Sequence, residues 1–212
     1  ILRCLVGSEM CIRDRFISQF LYRIRYWLLW GTIFVTSLVI YFTQFLPYSY
    51  TVKSSLYAGI TTSTSLDGSA INFGVVTSTF DNLINIAKSR GTLEKVSIRL
   101  LANSLTYGEE WKDNQYIQAK HYRQLLQMAP KEVLALVDRK DVEKTLANLT
   151  AYRKESSNNF VYSIFNRPVA FYSAAALESI NIKRAGNSDI LEITYTSADP
   201  GITQKTVSIL ID

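Results

Sequence analysis

The sequence predicts an α+β fold: one N-terminal transmembrane helix, then a domain in which a small mixed or antiparallel sheet is packed by helices. Three observations predict it. Residues 27–46, "WLLWGTIFVTSLVIYFTQFL", form a 20-residue run without a charge. Two distant segments, "YTVKSSLYAGI" and "SINIKRAGNSDILEITYTS", alternate apolar and polar residues with period two. The sequence between them carries apolar residues at helical spacing.

The uncharged run would rise about 30 Å as a helix, the thickness of a bilayer's hydrocarbon core. Tyr26, Trp27 and Trp30 stand at one end, Phe45 and Tyr48 at the other, as an aromatic belt requires, and Pro47 follows at once. A buried core helix seldom reaches this length without a charge, and no small-residue cleavage site follows to make the run a signal peptide. Arg23 and Arg25 precede it, whereas Lys53 is the only basic residue in the next forty positions. The positive-inside rule then places residues 16–26 in the cytoplasm and residues 48–212 across the membrane.

Charge narrows the possible partners. The formal net charge is +5, but residues 1–47 supply +3 of it, five Arg against Glu9 and Asp14. The remainder is nearly balanced and has no concentrated basic stripe, which argues against nucleic acid. At 212 residues and 48% hydrophobic content there is material for one domain core besides the span.

The first fifteen residues, "ILRCLVGSEMCIRDR", fit the pattern of neither helix nor strand and resemble translated adapter sequence. Residues 1–15 are therefore read as non-native, and Cys4 and Cys11 receive no functional weight; no other cysteine is present.

After the span, Val52, Ser54, Leu56 and Ala58 share one face of a strand, and residues 61–72 read as loop. Val76, Phe80, Leu83, Ile84 and Ala87 share a helix face, with Lys88 and Arg90 in its last turn and Gly91 beyond it. Thr92 is then the expected cap of a helix running to Gly108. Ile117, His121, Leu125 and Met128 form another apolar stripe. Pro130 opens a longer helical stretch in which Val142, Leu146, Leu149 and Tyr152 share a face amid dense charge, as in a helix projecting from a domain. Ile180 and Ile182, then Leu191, Ile193 and Tyr195, pattern a hairpin about the turn "AGNSD". Asp199 suits a helix N-cap and Pro200 the first helical position, with Ile202, Thr206, Ile209 and Leu210 facing the sheet. Taken alone, Asp199 is a local cap worth about 1 kcal/mol.

The residues supply no catalytic constellation. His121 is the only histidine and lies on an apolar stripe, where a packed side chain is the ordinary reading; no second His or native Cys stands by to make a metal site. "GITQKT" lacks the glycines of a phosphate loop, and no cofactor is expected. Asn148-Leu149-Thr150 matches a glycosylation acceptor but falls inside a helical pattern.

In this order, the span running into "YTVKSSLYAGI", the segment "FDNLINIAKSRGTLEKVSIRLLANSL", and "PVAFYSAAALESINIKRAGNSDILEITYTSADPG" resemble the polysaccharide co-polymerase, or Wzz-type chain-length determinant, family of bacterial envelope proteins, over essentially all of residues 16–212. Its most specific pieces are Tyr57-Ala58-Gly59, Ser188-Asp189 and Asp199-Pro200. The version here is most similar to the family's two-span exopolysaccharide branch. The resemblance implies a non-enzymatic inner-membrane scaffold with a periplasmic domain. The resemblance also implies that several copies assemble in a ring beside a polysaccharide polymerase or export channel and set polymer length. It further implies that the chain is a truncated copy, since family members continue through a coiled coil to a second span and some carry a cytoplasmic tyrosine kinase. The rival readings are the membrane-anchored half of such an autokinase and a single-span periplasmic sensor. For ring assembly, the mixed charges between 111 and 155 are candidates to pair between copies: Arg123, Arg139, Lys140 and Arg153 among Glu132, Asp138, Asp141, Glu143 and Glu155.

Overall fold

The computed structural model describes residues 5–46, 48–59, 73–156, 158–168, 171–186 and 188–212. Pro47 and the predicted loop 61–72 lie outside them. The chain divides into two units, residues 1–47 and 48–212.

The first unit is one helix, α1 (Leu5–Gln44). Within it Tyr22–Gln44, 23 residues of mean hydropathy 1.5 with none buried, is long and apolar enough to cross a membrane. Two expectations are corrected here. Residues 5–15 are helical: the stretch has no proline and several good helix formers, so each residue adds one bond to an existing helix. At the other end Phe45 and Leu46 leave the helix in a turn, as Leu46 must, because the residue before a proline is driven from helical geometry.

The second unit opens with β1 (Tyr50–Tyr57) and continues through α2 (Phe73–Ala87) and α3 (Arg90–Tyr107). A run of shorter helices follows: α4 (Ala119–Met128), α5 (Lys131–Ala135), α6 (Val142–Glu155), α7 (Phe160–Asn166) and α8 (Ala174–Glu178). The hairpin β2 (Asn181–Arg184) and β3 (Ile190–Ser197) then leads into α9 (Pro200–Ile211). The sheet is fully antiparallel in the order β1-β3-β2, so the expected small sheet is found with β3 at its centre. Val52 pairs with Tyr195, Ser54 with Ile193 and Leu56 with Leu191, which puts the period-two apolar residues on one face. The opposite face carries Thr51, Lys53, Glu192, Thr194 and Thr196 and stays polar, the usual arrangement of a one-sided antiparallel sheet.

Helix α9 lies between that apolar face and α3, and among the described residues the buried side chains form two larger clusters and a small one joining Phe80 of α2 to Leu191. Beneath the sheet, Ile182, Ile193 and Tyr195 meet Leu93, Val96, Phe165 and Val207. Among the helices, Leu100, Leu101, Leu105, Tyr122, Leu149 and Ile202 meet. Val207 therefore takes the place expected of Ile202 under the sheet, while Ile209 and Leu210 pack against that cluster as expected. Each such side chain, fully buried, stabilises by about 1.5–3 kcal/mol.

Three further expectations change. The α2–α3 break falls at Ser89, whose side chain caps α3 by accepting from Thr92 N–H; Thr92 and Gly91 lie inside α3. Serine at this position can serve α3's free N–H groups while the turn Lys88–Ser89 closes on α2's carbonyls. The stretch after Pro130 is two helices, because Asp138 and Asp141 turn the chain: Asp138 accepts from Lys140 N–H and Asp141 caps α6. Finally, α6 does not project. It packs along α3 with Leu149 fully buried, and Arg153–Glu94 (2.6 Å) and Arg99–Glu143 (3.1 Å) join the two helices. Arg139 donates to the Tyr122 hydroxyl and Lys144 pairs with Asp138, so several charges expected to bridge copies are engaged within the chain.

Candidate functional site

The pieces that carried the resemblance converge on the two ends of β3. At its start, Ala58 N–H donates to Asp189 C=O (2.8 Å), and Tyr57 pairs with Ile190. Ser188 donates its hydroxyl to Ala185 C=O, closing the hairpin turn in which Gly186 takes a φ of 58°. Arg184 lies over the Phe80 ring, 4.3 Å from its centroid, and reaches Asp189 at 4.0 Å. Gly59 leaves β1 with a φ of 59°, a left-handed conformation that glycine adopts without penalty. Tyr57 itself is exposed. These residues fix a strand crossing.

The other end of β3, roughly 26 Å away by strand rise, is more consequential. Asp199 is completely buried. Its Oδ1 accepts from Gly201 N–H (2.9 Å) and Ile202 N–H (3.2 Å), the expected cap, with Pro200 at the first helical position. Its Oδ2 accepts from Gln118 N–H (2.9 Å) and meets His121 Nδ1 (2.7 Å). One carboxylate thus serves the free N–H groups of two helices, α9 and α4, and orients the only histidine. The positive end of each helix favours a negative charge there. Asp113 completes the start of α4 by accepting from Ala119 N–H, and Asn114 shapes the loop by accepting from Tyr116 and Ile117 N–H and donating to Tyr107 C=O.

Since both oxygens of the carboxylate accept, Nδ1 carries the hydrogen and Nε2 is the ring nitrogen left for another partner. Nε2 has no hydrogen-bond partner among the described residues, and the ring borders a cleft of about 440 Å³. Leu125, Met128, Pro168, Phe171 and Tyr172 form its apolar walls, and Gln124 and Gln127 join His121 on the polar side. Phe171 packs its ring against His121 (4.9 Å between centroids, 64°) and holds a φ of 76°, in the region that favours glycine, at a cost of about 1–3 kcal/mol. Tyr172 anchors that strained residue: its ring is buried and its C=O accepts from Ser97 Oγ (2.6 Å). Burial pushes the Tyr172 phenol well above the usual tyrosine range, so it stays neutral.

His121 and Asp199 had separate readings in the sequence, a packed stripe residue and a local cap. What joins them, 78 positions apart, is the fold. The adjacent Asp113 and Asn114 are the sequence signal for this loop, since Asp-Asn commonly bonds side chain to backbone in turns. Arg23, Arg25 and Trp27 lie exposed on α1, Arg25 over the Tyr22 ring at 4.1 Å. Asn148 of the glycosylation pattern is half-buried and donates to Leu136 C=O. Among the described residues no group of three or more His, Cys, Asp or Glu side chains is placed to hold a metal ion.

Compared with known proteins, the chain matches no family model, no curated protein and no solved structure.

Proposed function

We propose that this chain acts as a membrane-anchored, non-enzymatic scaffold of the polysaccharide co-polymerase type. It sits in a bacterial inner membrane with residues 16–26 in the cytoplasm and residues 48–212 in the periplasm. There it assembles with further copies of itself beside a polysaccharide polymerase or export channel and governs polymer length. The observation that carries this reading is that Tyr57-Ala58-Gly59 and Ser188-Asp189 meet at one end of β3 while Asp199-Pro200 knots the other. The resemblance rests on those pieces, and each has a structural task in one sheet. A scaffold needs a rigid domain, and contacts that tie both ends of β3 support that reading.

Two measurements test it. A reporter fused after residue 60 is expected to score as exported; a cytoplasmic score overturns the orientation. The gene is then expressed in a strain lacking its own chain-length regulator. A shifted modal length of surface polymer, with crosslinked multimers of the protein, is expected. An unchanged length distribution with a strictly monomeric protein overturns the scaffold and brings the single-span sensor forward. Phosphotyrosine on the product moves the reading to the autokinase.

A further inference from the structure

We propose that the cleft beside His121 is a binding site for a neutral sugar, taken as one face of a short oligosaccharide. This stands on the chemistry of the cleft and not on the scaffold reading. The volume of about 440 Å³ falls within the range of small-molecule sites, roughly 300–1,000 Å³.

Three features select the ligand. First, no Lys, Arg, Asp or Glu is among the residues lining the cleft, and the buried Asp199 carboxylate stands behind His121. A phosphate or carboxylate would meet no Lys or Arg in the lining and would face that carboxylate, which favours a neutral ligand. Second, His121, Gln124 and Gln127 follow one another at intervals of three along α4. The imidazole offers one hydrogen-bonding nitrogen, Nε2, and each amide offers both donors and an acceptor, with no partner among the described residues. A hydrocarbon chain would strip water from these groups and return nothing, at a cost of about 1–3 kcal/mol for each one left unpaired. Adjacent hydroxyls, each donor and acceptor at once, satisfy them. Third, Phe171 and Pro168, with Met128 at the end of α4, give the cleft an apolar lining beside that polar row. A pyranose has this division, with C–H groups on one face and hydroxyls around the rim, and its C–H face packs on an aromatic ring.

The site is held in shape before any ligand arrives. Asp199 fixes the imidazole, and Tyr172 and Ser97 fix the backbone on which Phe171 keeps its strained φ. Binding therefore orders few groups.

The two methionines make the test direct. Only Met10 and Met128 are present, and Met128 lines the cleft while Met10 belongs to α1. The full chain is labelled with ¹³C-methyl methionine and placed in lipid nanodiscs, because the headgroup of an alkyl glycoside detergent would itself compete. Methyl glucoside, methyl N-acetylglucosaminide and methyl rhamnoside are titrated to about 100 mM, with inorganic phosphate and hexanol as the charged and apolar comparisons. A saturable shift of the Met128 methyl with at least one glycoside is expected, with Met10 unmoved. In the double variant Gln124→Leu/Gln127→Leu, whose positions are exposed and whose fold is checked by its melting temperature, the affinity should fall at least about tenfold. The proposal is overturned if no glycoside moves Met128, if phosphate or hexanol moves it in preference, or if the double variant binds as well as the parent. None of those results touches the scaffold reading, which is judged by polymer length and crosslinking.

Discussion

Replacing Asp199 with alanine is expected to destabilise residues 48–212 by about 3–5 kcal/mol, the range for breaking a buried charged group's interactions. As a local cap the side chain would be worth about 1 kcal/mol. Here it is fully buried and accepts from Gly201, Ile202 and Gln118 N–H and from His121. Removing it strands those donors at the junction of α4 and α9, each at a cost of about 1–3 kcal/mol before relaxation. Asp199→Asn separates the two roles. Asparagine caps a helix as well as aspartate does, but its NH2 would face Gln118 N–H and the histidine N–H, donor against donor. Thermal or urea unfolding should therefore find the asparagine variant nearly as weakened as the alanine one. An asparagine variant at parental stability would reduce Asp199 to a cap. Pro200→Ala, by contrast, should cost less than about 1 kcal/mol, since alanine is also at home in a first helical turn.

The second large effect is expected at Gly201. A Cβ there would stand 2.7 Å from Tyr116 C, 2.9 Å from Ile117 N and 2.9 Å from Tyr116 O. All three are backbone atoms and none can swing aside as a side chain tip would. Gly201→Ala should force α9 away from the 113–118 loop and destabilise by about 1–3 kcal/mol, the cost of overpacking. The sign is the informative part, because glycine to alanine inside an unobstructed helix stabilises by about 0.5–1 kcal/mol. Gly91 in α3 supplies that comparison, with nothing within 4 Å of its added Cβ. Gly201→Ala and Asp199→Ala disturb the same contact, so their combined loss should fall short of the sum. An additive pair, or a stabilised Gly201→Ala, would show that the loop and α9 are not locked together.

The sequence announced what is local. Period-two patterning placed Val52, Ile182, Leu191, Ile193 and Tyr195 on the inner face of the sheet, and Asp-Pro marked the start of α9. It could not announce partners chosen by the fold. Asp199 reaches back 81 positions to Gln118, and nothing near either residue encodes that meeting. The dense charge on α6 looked like a solvated, projecting helix, because Arg153 and Glu143 find Glu94 and Arg99 only once α6 lies along α3. At the α2–α3 break two signals competed. Gly91-Thr92 resembled an end and a cap, but Ser89 offered a cap one turn earlier, and Gly91 was free to remain helical. The cleft was legible only in part: His121 and Met128 were seen on one stripe, whereas Phe171 enters from a distant turn with a φ that no pattern predicts.

The pairing of β1 with β3 also sets an order of events. Thr51 and Thr196 share a hydrogen bond across 145 positions of chain. At a synthesis rate of about 5–20 residues per second, β1 is made roughly 7–30 s before its partner exists. For that interval its apolar row of Val52 and Leu56 has no sheet to join, and both of its edges are open to other chains. The strand meets this wait with Thr51, Lys53, Ser54 and Ser55, side chains that favour water over self-association. Its helical neighbours α2 and α3 can form meanwhile, since their contacts are local, but the domain closes only when its last strand arrives.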